Sequence, residues 1–508
     1  MNDFGYVVQV KENAPDLRVK ELCRRYGIRD RMPRPIIPGD KRALNKRVVE
    51  VLANQVYTME LENALSQRIW AYRKAAWAIE DLDVDMGLIY RQMGRKGLES
   101  IENVGPRLAE VVEALLKGLL ANPMQSSRFM REQAVSHSSI GTLTLTNATI
   151  TTSGNTSSED KSSFYGLNAS VLAESGSTID FSNGTITTSG TGANGAFATG
   201  AGSSVSLSHV TIKATGDGSH GVMATNAGSV TLIDVDMTTA GIHSGAIATD
   251  RGGGTITATG GTVTTSGQDS PGIYSTGAIS VADATISATG AEAAVIEGAN
   301  SIALTNTALS SSKEDKWGVM IYQSMSGDAE GTRGVFTMAG GSLAYTAANG
   351  PLFYVTNSTG VITLKGVNVT ATSGTLVNAA GNDRWGTIGS NGGTVILTAD
   401  GQTLTGNMVA DSISSITAAL HNGSSLTGFI NSAHTAKAVN LTLDASSTWN
   451  VMADSYLTCL TDPGGISGAT ITTITGNGHT VYYDASACPA LGGQTYTLNG
   501  GGTLKPAN

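Results

Sequence analysis

The sequence is poor in charged and aromatic residues. Charged residues make up 14% of its 508 positions and aromatic residues 5%, whereas globular chains carry about 25% charged residues. No run of about 18 apolar residues is present, which excludes a transmembrane helix, and no Gly-X-Y triplet repeat is present, which excludes collagen. The first 30 residues also lack the apolar stretch of a secretory signal peptide. A core therefore has to be built largely from small side chains.

Charge and glycine divide the chain near Gln133. Residues 1–133 hold 22 Lys and Arg against 18 Asp and Glu, a net charge of +4. Residues 134–508 hold 10 against 23, a net charge of −13, and the two parts sum to the −9 of the whole chain. Of the 63 glycines, 8 lie in the first part and 55 in the second. This change of composition predicts two domains that meet near Gln133.

The three cysteines are divided in the same way. Cys23 stands alone in the first part, as in a reduced intracellular segment. Cys459 and Cys488 would form a disulfide if the second part is exported, and would otherwise be two separate thiols. Because no C-x-x-C or H-x-x-x-H spacing occurs, the sequence predicts no metal site, and it predicts no cofactor.

Helical periodicity marks the first part. Apolar residues recur at helical spacing over 45–65 and again over 67–80, and a short helix is expected near 88–93. Two closing helices are expected on either side of a tight turn at Asn103-Val104-Gly105. The acidic pair Asp83 and Asp85 is expected to supply turn residues and a helix cap.

Two segments of this part resemble a known family. Ala71-Tyr72-Arg73-Lys74-Ala75-Ala76 and 98–110 (LESIENVGPRLAE) are similar to the N-terminal helix-hairpin-helix domain of family X DNA polymerases, and the resemblance covers residues 45–120. In such a hairpin, backbone N–H groups at a helix start cradle a phosphate, which gives binding to the DNA backbone without sequence specificity. The resemblance implies phosphate contacts from Val104, Gly105 and Arg107, supported by Arg68, Tyr72 and Lys96.

The chain departs from the family in three ways. Asn103 replaces the first glycine of the hairpin, although Asn tolerates a left-handed backbone. Val111 occupies the position of the Schiff-base lysine found in members with lyase activity. The polymerase palm is absent. We therefore expect neither lyase nor polymerase activity, and a helical protein–protein adaptor remains the alternative.

The second part is a repeat with a period of about 25 residues. A motif of the form Thr-apolar-Thr/Ser-x-x-Gly recurs at 149–154, 185–190, 211–216, 236–241, 262–267 and 285–290. A second motif keeps the same phase at 195–199, 221–225, 245–249 and 272–276. With a third alternating segment, each period predicts three short strands, which is typical of a parallel β-helix. The expected inward columns are Ile150, Ile186, Ile212, Met237, Val263 and Ile286, and Phe197, Met223, Ile247 and Tyr274.

This part resembles the pectin-lyase-like β-helix domains of bacterial adhesin-like surface proteins. Segments 441–449 and 493–498 are similar to the tails of such proteins. Together the two resemblances imply a mixed multidomain protein: a partly helical N-terminal extension (1–44), a small all-α helix-hairpin-helix domain (45–133), a right-handed parallel β-helix (134–400), and C-terminal turns with a cap (401–508). The implied partners are glycans or other cell-surface molecules, but a fold specifies function weakly.

Three functions are compatible with the two halves. We favour a non-enzymatic, adhesin-like surface protein whose first domain binds DNA. The alternatives are an intracellular DNA-binding protein with the β-helix as scaffold, and a polysaccharide lyase or hydrolase. For the last, the densest charged group is Asp234, Asp236, Asp250, Arg251 and Asp283, which we expect to be solvated strand-edge residues. The β-helix favours an extracellular or cell-surface location, and the first domain a cytoplasmic one.

Overall fold

A computed structural model describes residues 42–61, 66–121, 135–137 and 141–507. The chain separates into two compact units, residues 1–130 and 131–508, and the division lies next to the composition change at Gln133. Most of the expected N-terminal extension, including Cys23, lies outside the described residues.

The described part of the first unit is helical. Its helices are α1 (Ala43–Leu61), α2 (Ser66–Glu80), α3 (Met86–Glu99) and α4 (Pro106–Ala121). The short helix expected near 88–93 is longer than predicted, since it continues to Glu99 through a kink at Gly94, where φ is 61°. The helices enclose a small apolar core that includes Val48, Leu52, Ile79, Leu98, Val112 and Leu116.

Polar contacts fix how these helices are joined. The buried Asn45 donates to the carbonyl of Val84 and accepts from the N–H of Met86, both at 2.8 Å, which ties α1 to the start of α3. Asp85 caps α3 by accepting from the N–H of Gly87 at 2.6 Å. Glu113 of α4 accepts from Arg95 of α3 at 2.5 Å. The start of α3 is therefore held by Asn45 and Asp85, and Arg95 joins α3 to α4.

The second unit is a parallel β-solenoid with three strands in each turn. One sheet of eleven strands contains Val135–His137, Val171–Glu174, Ala196–Thr199, Val222–Thr225, Ile247–Asp250, Ile273–Ser275, Ala294–Glu297, Val319–Tyr322, Phe353–Thr356, Thr375–Ala379 and Asn407–Ala410. A second sheet of twenty strands receives two strands from most turns: Thr142–Thr146, Thr149–Thr152, Thr178–Thr188, Ser204–Ala214, Gly228–Ile233, Asp236–Thr239, Gly254–Thr259, Thr262–Thr265, Ala278–Ala282, Thr285–Ala288, Ser301–Thr305, Ala308–Ser311, Arg333–Ala339, Ser342–Tyr345, Ser358–Lys365, Asn368–Ala371, Gly393–Asp400, Ser415–His421, Ala438–Leu443 and Cys459–Thr461.

A left-handed residue forms the corner between the two strands that a turn gives to the twenty-stranded sheet. Its φ is 54° at Asn147, 53° at Asn183, 54° at His209, 49° at Asp234 and 56° at Asp283. Asn, Asp and His adopt this conformation more readily than other residues with a Cβ. The corner explains why Asn, Asp or Gly recurs between the predicted strands.

The glycine that closes the Thr-apolar-Thr/Ser-x-x-Gly motif lies in a stack along the solenoid. A Cβ on Gly190, Gly216, Gly241, Gly267 or Gly290 would lie less than 3.0 Å from the carbonyl oxygen of the motif glycine one turn earlier. The first member of the stack, Gly154, has open space at the same position. Close approach of neighbouring backbones therefore requires glycine in these five turns.

The first predicted core column is confirmed, and the second is wrong for Phe197, Met223 and Tyr274 but right for Ile247. Ile150, Ile186, Ile212, Met237, Val263 and Ile286 pair in register and are buried. In the eleven-stranded sheet, Met223 pairs with Phe197 and with Ala248, and Ala248 pairs with Tyr274. These side chains form a cluster separate from the main core, which holds Ile247. Phe197, Met223 and Tyr274 therefore lie on the outer face of the sheet, and this sheet is apolar on both faces here.

A short helix, α5 (Glu159–Tyr165), lies against this outer face. The backbone carbonyl of Phe164 accepts from the hydroxyl of Thr225 at 2.8 Å. The Arg251 guanidinium lies 3.8 Å from the centre of the Phe164 ring. The outer face is therefore covered near its first turns.

The C-terminal turns form a sheet of nine strands: Thr403–Thr405, Ser425–Gly428, Thr448–Val451, Ser455–Leu457, Ile466–Ser467, Thr470–Thr475, Thr480–Tyr483, Tyr496–Asn499 and Thr503–Pro506. Antiparallel pairing enters in this sheet, and its last two strands pair with each other in that way. Cys459 and Cys488 form a disulfide with Cα atoms 4.9 Å apart. A 3₁₀ turn (Pro489–Leu491) follows Cys488.

Candidate functional site

Aromatic side chains gather on the outer face of the eleven-stranded sheet, beyond the part that α5 covers. Register places Tyr274, Val295, Met320 and Tyr354 in one column along this face. Trp317 stacks on Tyr354 with ring centres 4.5 Å apart and ring planes 15° apart. The chain has few aromatic residues, so this grouping singles out one region of the solenoid.

A cleft of about 670 Å³ opens beside this stacked pair. Its lining comes from four successive turns and consists of Trp317, Tyr354, Gly381, Asn382, Asp383, Arg384, Trp385, Ile388, Gly389, Asn391, Asp411 and Ile413. The Trp385 ring also contacts Tyr322, with ring centres 4.8 Å apart. The Arg384 guanidinium lies 4.8 Å from the centre of the Trp385 ring.

Asparagine side chains shape the wall of the cleft. Asn382 accepts from the backbone N–H of Arg384 at 2.9 Å and of Trp385 at 2.5 Å, which forms a tight turn. The amide nitrogen of Asn391 donates to the carbonyls of Asn382 and Trp385, both at 2.6 Å. The Oδ1 atom of Asn391 is buried and has no hydrogen-bond partner among the described residues. A buried acceptor in a cleft wall costs free energy unless a water or ligand donor satisfies it.

A hydrogen-bonded carboxylate network lies next to the cleft, centred on Glu297. Its carboxylate accepts from the hydroxyls of Tyr274 at 2.5 Å and Tyr322 at 2.7 Å, and also from Ser324. Burial raises the pKa of both tyrosines, and the charge of Glu297 adds to the effect. Glu297 itself is 2% exposed.

The network continues outward from Ser324. The Oγ atom of Ser324 lies 2.7 Å from the Oγ atom of Ser326, and Ser326 donates to Asp328 at 2.8 Å. Asp328 in turn forms an ion pair with Arg251 at 2.8 Å. The network therefore joins the strand Ala294–Glu297 to the end of the strand Ile247–Asp250.

Asp250 is a titratable group near this network. Burial raises its pKa to about 7, the charges of Asp328 and Glu297 add to the shift, and the N–H of Arg251, at 2.7 Å, opposes it. Asp250 and Glu297 lie on strands two apart in the sheet, which places their Cα atoms about 10 Å apart. Asp250 can therefore exchange a proton near neutral pH.

A second charged group lies on the same face of the sheet. Lys316 forms ion pairs with Asp269 at 2.7 Å and with Glu292 at 3.5 Å. Burial opposes the charge of Lys316, but the two carboxylates outweigh it and raise the pKa of the lysine. Burial raises the pKa of Glu292. Both carboxylates of this group therefore have Lys316 as an ion-pair partner.

The structure divides the charged group that the sequence singled out. Asp234 and Asp283 form corners of the twenty-stranded sheet, and Asp236 accepts from the N–H of Thr262 on that sheet at 2.9 Å. Asp250 and Arg251 belong instead to the outer face of the eleven-stranded sheet. The five residues therefore do not form one site.

In the helical unit, the residues predicted to contact phosphate differ in their exposure to solvent. Val104 is 2% exposed, and its N–H donates to the carbonyl of Ile101 at 3.0 Å. Gly105 and Arg107 are exposed, and their backbone N–H groups have no acceptor among the described residues. Asn103 has the left-handed backbone expected of it, with a φ of 61°.

The supporting residues also differ from one another. Arg68 and Lys96 are exposed, whereas Tyr72 packs against the helical core. Val111 packs partly against the same core, at the position where the resembling family carries its lyase lysine. Of the six residues predicted to contact phosphate, Arg68, Lys96, Gly105 and Arg107 are thus the exposed ones.

Sequence reasoning missed the cleft residues, including Trp317, Tyr354, Trp385, Asn391 and Asp411. A signal was present: the run Asn382-Asp383-Arg384-Trp385 interrupts the Thr- and Gly-rich repeat. Among the described residues, no group of His, Cys, Asp and Glu could hold a metal ion. Within the same residues, no helix is long and apolar enough to cross a membrane. Protein-family models, curated proteins and solved structures gave no match to this chain.

Proposed function

We propose that the protein is a non-enzymatic, adhesin-like surface protein whose β-solenoid binds glycans in the cleft beside Trp317 and Tyr354. The observation that carries this proposal is the combination of aromatic rings with the unpartnered acceptor of Asn391. Aromatic rings offer flat apolar surfaces to the C–H faces of sugar rings, and planar polar groups bind their hydroxyls. The Cys459–Cys488 disulfide supports an oxidising, extracellular location.

Hydrolysis through Glu297 is disfavoured by the contacts that its carboxylate already makes. Glu297 already accepts three hydroxyl groups of the protein and is almost fully buried. A glycosidase needs two carboxyl groups that flank the scissile bond, about 5–9.5 Å apart. A carboxylate engaged in this way serves to fix the tyrosines beside the cleft rather than to reach a substrate.

The test is glycan-array screening of the full chain, followed by calorimetry on the ligands found. Trp317→Ala and Trp385→Ala should each weaken binding about tenfold, since an aromatic stacking contact is worth ~1–1.5 kcal/mol. Tyr165→Ala is the matched control, because Tyr165 is 44% exposed and does not line the cleft. Unchanged affinity in both tryptophan variants would refute binding in the cleft.

The second proposed activity is DNA-backbone binding by a helix-hairpin-helix in the first unit. The free N–H groups of Gly105 and Arg107 support it, together with the exposed Arg68 and Lys96. In fluorescence anisotropy with a gapped duplex carrying a 5′-phosphate, affinity should fall steeply between ~50 and ~200 mM salt. Arg107→Ala should lower the salt slope by about 1, with the exposed Arg91→Ala as control. Absence of binding at the lowest salt would refute this activity.

A further inference from the structure

A second cavity, of about 300 Å³, lies between α5 and the corners that lead into the eleven-stranded sheet. Glu159 and Ser163 of α5 line one side of this α5 cavity, and Asp217, Ile242 and His243 line the other. Ile242 is 43% exposed and presents an apolar surface. Among the described residues, the carboxylates of Glu159 and Asp217 have no ion-pair partner. The cavity thus combines an apolar surface with hydrogen-bonding groups, as small-molecule sites do.

A row of charged side chains joins the α5 cavity to the cleft. Nε2 of His243 lies 3.8 Å from Oδ2 of Asp269, and Oδ1 of Asp269 accepts from the ammonium group of Lys316 at 2.7 Å. Lys316 directly precedes Trp317, which lines the cleft, and its ammonium group lies 5.8 Å from the centre of the Trp317 ring. The side chains of His243, Asp269 and Lys316 are 74%, 34% and 26% exposed, so the row is open to solvent along its length.

The register of the sheet gives the length of this surface. His243 precedes the strand Ile247–Asp250 and Lys316 precedes the strand Val319–Tyr322, and three steps in the sheet separate the two strands. At about 4.8 Å a step, they lie about 14 Å apart. From Ala196–Thr199, beside the α5 cavity, to Asn407–Ala410, beside the cleft, there are eight steps or about 38 Å. A ligand that occupies both cavities has to be an extended chain.

We propose that the α5 cavity is a second sugar-binding site on the surface that carries the cleft, and that the glycan is a neutral, linear chain long enough to occupy both. The inference rests on the proposed glycan binding. Ile242 offers apolar contact to a sugar ring, and the carboxylates of Glu159 and Asp217 accept from its hydroxyls. Carboxylates outnumber cations along this surface, since Glu159, Asp217 and Asp269 lie there with Lys316, and this disfavours an anionic chain.

Oligosaccharides of two lengths test the second site in calorimetry with the full chain. The probes are β-1,4-linked xylose and β-1,3-linked glucose, each as a tetrasaccharide and a decasaccharide, and decagalacturonate as the anionic chain. A tetrasaccharide fills one site, whereas a decasaccharide reaches both. A decasaccharide gains roughly sevenfold from the number of registers that it offers to a four-sugar site, and a second site should raise its advantage to about thirtyfold or more. Decagalacturonate should bind more weakly than the neutral decasaccharides.

His243→Ala and His209→Ala form a matched pair of variants. Both histidines have a left-handed backbone, with φ of 52° and 54°, and both lie beside an aspartate, at 3.8 Å from Asp269 and 3.5 Å from Asp234. His209 lies on the twenty-stranded sheet, away from either cavity. His243→Ala should weaken decasaccharide binding about fivefold, as expected for one lost hydrogen bond, and leave tetrasaccharide binding in the cleft unchanged. His209→Ala should change neither.

The outcomes distinguish the inference from the proposal on which it rests. If the decasaccharide gains no more than its registers supply, or if His243→Ala leaves its affinity unchanged, while Trp385→Ala still weakens binding, the second site is refuted and glycan binding stands. If decagalacturonate binds as tightly as the neutral decasaccharides, or if arrayed glycans bind and neither neutral series does, the neutral chain is refuted and glycan binding stands. If no probe and no arrayed glycan binds, both are refuted.

Discussion

Replacing Gly241 with alanine tests the glycine stack of the solenoid. The new Cβ would lie less than 3.0 Å from the carbonyl oxygen of Gly216, one turn earlier, whereas ordinary contact begins at 3.4 Å. The obstacle is backbone rather than a movable side chain, so the two turns must separate locally. Two hydrogen bonds join these turns beside the contact, Ala240 N–H to Ala214 O at 3.0 Å and Ile242 N–H to Asp217 Oδ1 at 2.8 Å.

The expected loss is about 3–5 kcal/mol in the free energy of unfolding. Overpacking costs ~1–3 kcal/mol, and each hydrogen bond stretched beyond its normal length costs ~1 kcal/mol. Urea denaturation of the full chain, followed by far-UV circular dichroism, measures the loss.

Gly154→Ala is the matched control, because it is the same substitution at the first glycine of the stack, where a Cβ meets open space. It should be neutral or stabilise by less than ~1 kcal/mol, through the lower entropy of its unfolded chain. Equal stability of Gly241→Ala and Gly154→Ala would refute the close approach of the backbones as the reason for the motif glycine.

Three further perturbations follow from the structure. Because the pKa of Asp250 is raised to about 7, its protonated form stabilises the fold, and this contribution should be lost as pH rises from about 4 to about 7; Asp250→Asn should gain ~2–3 kcal/mol over the wild type between pH 5 and pH 8 in urea titrations, whereas Asp283→Asn, at a corner, should not. Cys459→Ser opens a disulfide that spans 29 residues, which should cost ~3–4 kcal/mol by loop entropy; a thermal melt unchanged from that of the oxidised wild type would contradict this. Met223→Ala should cost ~2–5 kcal/mol because its side chain is fully buried on the outer face, and a loss below ~1 kcal/mol would contradict that burial.

The repeat was predictable because the Thr-apolar-Thr/Ser motif carries its structure locally. The alternation of Thr185, Ile186 and Thr187 places one apolar side chain inward and leaves Thr185 exposed. The same phase recurs in later turns, so one correct assignment extends to the whole column. The role of the motif glycine was not predictable, since the clash at Gly241 arises between turns that are 25 residues apart.

The second core column was misassigned for a physical reason. Val222 and Met223 are consecutive and both fully buried, one toward the main core and one toward the outer cluster under α5. A strand that is apolar on both faces shows no alternation, so the pattern cannot tell which face is inward. Tyr274 was assigned to the interior for the same reason, and this error hid the face on which the cleft lies.

The candidate site lies where the repeat is interrupted. A regular turn presents the same small side chains as its neighbours and so offers no distinct pocket. The longer connection between the strands Thr375–Ala379 and Gly393–Asp400 carries Asn382, Trp385 and Asn391, and its own asparagines hold it in shape. The parallel register then brings Tyr354, one turn earlier, and Asp411, at the end of the next strand, to the same opening. The solenoid thus supplies fixed spacing, and the insertion supplies the chemistry of the site.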